Sequence, residues 1–109
     1  MTDEQQLQTE IIQYTDSSLA VRDNDAGIFR QKLAEYINLL INTDFNKLIY
    51  ILYRLDISEK KLKQLLAGEQ QTDAGRLIAN MIIERQLQKI QSRKQYRMQD
   101  DGIANEEKW

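Results

Sequence analysis

From Phe45 to Leu55 the chain reads F-N-K-L-I-Y-I-L-Y-R-L, and this stretch limits the fold more than any other. Leu48 to Tyr53 is six apolar residues in succession, too many for a helix with one wet face. Phe45, Leu48, Ile49, Leu52 and Leu55 keep the i, i+3, i+4, i+7 spacing of a core-facing stripe, and Tyr50 and Ile51 widen it. The pattern predicts a central helix contacted by neighbours on most of its sides. The other reading of such a run is a buried strand, since Ile and Tyr favour strands. It fails because no second strand-like run is present to pair with it.

The flanking sequence reads as further helices. Thr2 with Gln5 three residues later makes a capping box, and Asp3 and Glu4 suit a first turn. A first helix is expected over about 3–19, with a thin apolar stripe of Leu7, Ile11 and Tyr14. Residues 22–27, R-D-N-D-A-G, form a break, with Asp25 as N-cap of a second helix over about 26–41. That helix carries a strong stripe in Phe29, Leu33, Tyr36, Ile37, Leu40 and Ile41. Thr43 is the expected cap of the central helix. Asp56 and Ser58 offer caps for a short fourth helix over about 58–67, its inner face Leu62, Leu65 and Leu66, with Ala67-Gly68 as the stop. Thr72 is the expected cap of a last helix running to about 96. Residues 98–109 lose the period and are expected as a mobile acidic tail.

Composition agrees with this layout. There is no proline and there are only four glycines, so helices are favoured and turns lack their usual residues. The expected fold is all-α: one compact bundle of four to five helices over 1–97, with a long C-terminal helix and a flexible acidic tail over 98–109. No apolar run reaches membrane-span length, and the acidic N-terminus is unlike a signal peptide. With no cysteine, the expected location is cytoplasmic.

The block from Asp44 to Arg93 includes L-I-Y-I-L-Y-R-L-D-I-S-E-K-K-L-K-Q-L-L and A-N-M-I-I-E-R-Q-L-Q-K-I. It resembles a family of small, uncharacterised, all-helical bacterial proteins, over about half the chain. The resemblance implies a cytoplasmic helical protein. It implies no activity and transfers no site residues.

The absence of histidine and cysteine removes the commonest general base, zinc ligand and thiol nucleophile. Glu10, Glu35, Glu59 and Glu84 fall one per helix outside the central one, but the Glu-x-x-His pairs of di-iron bundles are missing. The chain is therefore read as non-enzymatic, with no catalytic, cofactor-binding or metal-binding residues and no cofactor. Tyr14, Tyr36, Tyr50 and Tyr53 are read as core or rim packing.

Charge is unevenly spread. Residues 1–43 carry three basic and seven acidic side chains, residues 44–97 eleven and six, and residues 98–109 one and four. Two interaction readings follow. In the first, Ile83, Leu87 and Ile90, which the first helix of the same chain could equally cover, form a seam for a protein partner or a second copy, whose acidic first helix would meet Lys89 and Arg93. The chain is then a protein–protein interaction or self-association module, a homodimer or an adaptor. In the second, the segments around Asp56–Ile57 form a helix-turn-helix. It would present Ser58 to Gln64, including Lys60, Lys61 and Lys63, to nucleic acid, backed by a basic ridge of Arg85, Lys89, Arg93 and Arg97. A sequence pI of about 5.2 weighs against the second.

Overall fold

Local capping fixes where each helix begins. A computed structural model describes the backbone of residues 2–68 and 73–104, and the side chains over those ranges except at 65, 66, 68 and 97–104. Helix α1 spans Asp3–Tyr14 and opens with the expected capping box: Thr2 Oγ1 accepts from the Gln5 N–H at 3.1 Å, and Gln5 Oε1 accepts from the Thr2 N–H at 2.9 Å. It stops at Tyr14, short of the expected end. Two 3₁₀ turns follow, Ser17–Leu19 and Arg22–Asn24. Asp23 and Asn24 sit in the left-handed region, with φ of 57° and 53°, which Asp and Asn tolerate better than other non-glycine residues.

Helix α2 spans Ala26–Thr43, and its first turn is capped by Asp25, whose Oδ1 accepts from the Ile28 N–H at 3.0 Å. Thr43 does not cap the next helix. Asn42 and Thr43 donate back to the carbonyls of Asn38 and Leu39, at 3.0 and 2.7 Å, so α2 keeps its last turn. Asp44 then serves as the single-residue corner and caps α3, Phe45–Arg54, through the Lys47 N–H at 3.1 Å. Helix α3 ends in a Schellman motif. Ile57 N–H donates to Leu52 O at 3.0 Å, Asp56 N–H donates to Tyr53 O at 3.1 Å, and Asp56 takes the left-handed position at φ 63° where glycine is usual. Asp56 thus closes α3. Ser58 alone caps α4, Glu59–Gly68, through the Lys61 N–H.

Helix α5 spans Ala74–Ala104, 31 residues, about 46 Å at 1.5 Å per residue. Its N-cap is Asp73, which accepts from the Gly75 and Arg76 N–H groups. The expected cap Thr72 lies outside the described residues. The helix continues past the expected end near 96 into the segment read as a tail, of which 105–109 lie outside the described residues.

The fold is all-α, a bundle of five helices without strands among the described residues. Its axis is the α2–α5 pair: α5 packs most extensively on α2 and next on α1, while α3 lies against α2 and α4 against α5. Phe29, Leu33, Ile37 and Leu40 of α2 meet Ile78, Ala79, Ile82, Ile83 and Ile90 of α5 in one core, which Leu7, Ile11 and Leu19 close from the α1 side.

The centre of the molecule is therefore not α3. Leu48, Ile51, Leu52 and Leu55 are buried, but Phe45, Ile49, Tyr50 and Tyr53 are 55%, 47%, 57% and 81% exposed. A ten-residue helix is only about 15 Å long, and it lies at the side of the longer pair, so neighbours cover one face of it.

Candidate interaction surface

Residues four apart on a helix advance by about 40° around its axis, so they form a slightly inclined row. Phe45, Ile49 and Tyr53 are such a row on the outer side of α3. Tyr50 stands beside it, three residues before Tyr53 and so on the same face. The buried set Leu48, Ile51, Leu52 and Leu55 adjoins the row, which leaves Lys47 and Arg54 as the charged strip of the helix. One edge of the face is fixed. The Arg54 guanidinium lies over the rings of Tyr14, at 5.2 Å, and Tyr50, at 5.6 Å, and its Nη1 donates to the Tyr50 hydroxyl at 2.6 Å. Tyr50 is thereby held upright with its ring half in solvent. Among the other two tyrosines read as packing residues, Tyr14 and Tyr36 do lie against the core; the Tyr36 hydroxyl is buried with no hydrogen-bond partner among the described residues.

The expected seam is placed elsewhere than on the surface. Ile83 and Ile90 are buried and Leu87 is partly buried within the single chain, so this chain's own elements cover them. The cover is α1. Its apolar residues Leu7 and Ile11 join the same core, and its acids reach Arg93, one of the two α5 cations expected to meet a second subunit, and the adjacent Lys94. Arg93 Nη2 donates to Glu10 Oε1 at 2.7 Å, Lys94 pairs with Asp3, and the buried Gln86 amide donates to Glu10. Burial opposes the charge of Glu10, but hydrogen bonds from Arg93, Gln6 and Gln86 outweigh it and hold the carboxyl below its ordinary value. The acidic front and basic middle of the sequence meet inside one molecule.

The basic ridge is likewise tied into the fold. Arg85 donates through Nη2 to Asp56 Oδ2 at 2.8 Å and through Nε to Asp56 O at 3.3 Å. Lys89 Nζ donates to Leu55 O at 2.9 Å, against the C-terminal end of α3. The hydrogen bond and charge of Arg85, then the charge of Lys89, hold the Asp56 carboxyl low. The side chain of Arg97 lies outside the described residues. On α4, Lys60, Lys61 and Lys63 are exposed, and Lys63 sits 3.8 Å from Glu59. The Ser58 hydroxyl is occupied as the α4 cap.

One contact had no sequence signal beyond a glycine in a helical first turn. Asn38 of α2 donates to Asp73 Oδ1 at 2.7 Å and accepts from the Gly75 N–H at 3.0 Å. This amide clamp pins the start of α5 to α2 and holds the Asp73 carboxyl low. Among the described residues no three acidic side chains gather where a metal ion could sit, and no helix is long and apolar enough to cross a membrane. Comparison with protein families, with curated proteins and with solved structures finds no match for this chain.

Proposed function

We propose that this protein is a non-enzymatic self-association module and that the outer face of α3 is its contact surface. The observation that carries the reading is the exposure of Phe45, Ile49, Tyr50 and Tyr53 on one short, well-capped helix. The three aromatic side chains alone present roughly 400 Å² to water, the size of patch that on small proteins is often functional.

The occupant is a second copy of the same face. The row is symmetric in kind about Ile49, with an aromatic ring four residues to either side. A two-fold axis at Ile49 sets Phe45 of one subunit near Tyr53 of the other, and the reverse, as an isologous contact requires. Rows of i±4 type pack into each other at about −50°, a common helix crossing. No charged residue interrupts the row, so an uncharged, equally apolar helix matches it. A specific interface needs about 800 Å² per partner; the patch supplies its centre and Asn46, Lys47 and Arg54 its rim. The expected dimer is small and in the micromolar range.

Sedimentation equilibrium over a concentration series tests this. The wild-type protein is expected to pass from monomer to dimer, and Ile49→Lys to stay monomeric with an unchanged helical circular-dichroism spectrum. A wild-type chain that is monomeric throughout, or an Ile49→Lys variant that still dimerises, overturns the reading.

A further inference from the structure

Between α1 and α5 runs an open groove of about 790 Å³, within the range of about 300–1,000 Å³ that small-ligand sites occupy. Its floor is the Gln86 side chain, 5% exposed and bonded to Glu10. Along the α5 wall stand Arg85, Lys89 and Arg93, each about 6 Å further along the axis, with the Ser92 hydroxyl and the exposed Gln88 amide between them. Glu10 is the single carboxylate of the lining.

The two arginines already hold oxyanions of the chain itself, Arg85 that of Asp56 and Arg93 that of Glu10. Lys89, between them, has no carboxylate partner among the described residues; its ammonium has three donors, and one goes to the Leu55 carbonyl. A central cation with donors to spare, two guanidinium groups beside it, and Ser and Gln groups in reach form an arrangement suited to an oxyanion. The geometry points to this groove as a binding site for a small ligand carrying two or more phosphate or carboxylate groups, with Lys89 at its centre. A compact anion fits better than a nucleic-acid strand. The acids Glu10, Asp56 and Glu84 flank the ridge, and a chain with net charge −2 repels an extended polyanion.

Amide NMR titrations at constant ionic strength, with pyrophosphate in one arm and citrate in the other, decide the matter and show which oxyanion is preferred. Saturable shifts are expected at Gln88, Lys89 and Ser92, with none at the exposed Lys60 and Lys63. Gln88→Glu puts a carboxylate in the groove at an exposed position and leaves the fold intact; it should weaken binding at least tenfold. Lys89→Gln should do the same, with its fold checked by the unchanged dispersion of the core resonances. Shifts that do not saturate, that appear equally at Lys60 and Lys63, or that survive Gln88→Glu overturn the proposal. So does an oligothymidylate that binds more tightly than both small anions.

Discussion

Gly75 shows how much a single hydrogen can decide. A Cβ built there would lie 2.5 Å from the Ala34 carbonyl oxygen and 2.5 Å from the Asn38 amide, both part of the α2 surface it packs on. Alanine is the better helix former by about 1 kcal/mol, yet at this crossing α2 would have to move away from α5. Gly75→Ala is therefore expected to lower stability by about 1–3 kcal/mol, as overpacking does, and to break the Asn38 clamp. Gly27 is the internal control: its added Cβ meets only the Asp25 carboxylate at 3.5 Å, ordinary contact. Gly27→Ala should leave the chemical-denaturation midpoint unchanged or raise it slightly. If both variants shift the midpoint alike, the close approach of α2 and α5 is not what glycine serves at position 75.

At the scale of the element, α3 separates two kinds of apolar residue that look the same in the sequence. Leu52 is 5% exposed and Ile49 is 47% exposed, three positions apart on one helix. Leu52→Asp buries an unpaired carboxylate in the core and should abolish cooperative unfolding by circular dichroism. Ile49→Asp should leave the monomer's melting curve within about 0.5 kcal/mol of wild type. The helix count, the caps Thr2, Asp25 and Ser58 and the core face of α2 were legible because periodicity and cap chemistry are local. The placement of α3 was not. Six apolar residues in a row specify hydrophobicity, but whether neighbours reach all sides depends on helix lengths and crossing, which are tertiary. The seam Ile83–Leu87–Ile90 misleads for the converse reason: a stripe reads alike whether its own α1 or a second chain covers it. The charge asymmetry did hold the answer, since Asp3 and Glu10 on α1 match Lys94 and Arg93 on α5. Asn38 and Gly75, 37 residues apart, left no sign of their contact.

For the whole molecule, the ion pairs and caps that join its elements are carboxylate-based, and this sets how stability depends on pH. Glu10 joins α1 to α5, Asp56 joins the end of α3 to α5, Asp73 joins α2 to the start of α5, and Asp16 caps the first 3₁₀ turn. All four carboxyls are held below their ordinary values in the folded chain. A depressed folded-state pKa means that the unfolded chain binds protons first as pH falls. The stabilisation is therefore complete above the unfolded values, about 4, and is lost as pH drops through the folded ones. With no histidine in the chain, no side chain has its ordinary pKa between pH 6 and 8. The melting temperature is thus expected to be flat across that interval and to decline steeply below about pH 4. Because Glu10 is the most enclosed of the paired carboxylates, with its side chain 19% exposed, Glu10→Gln should flatten the acid limb the most. It should also lower the plateau, since Arg93 then loses its partner. A Glu10→Gln variant with the same acid limb as wild type would show that the Glu10–Arg93 pair adds nothing to a contact between α1 and α5 that Leu7, Ile11 and the Asp3–Lys94 pair already hold.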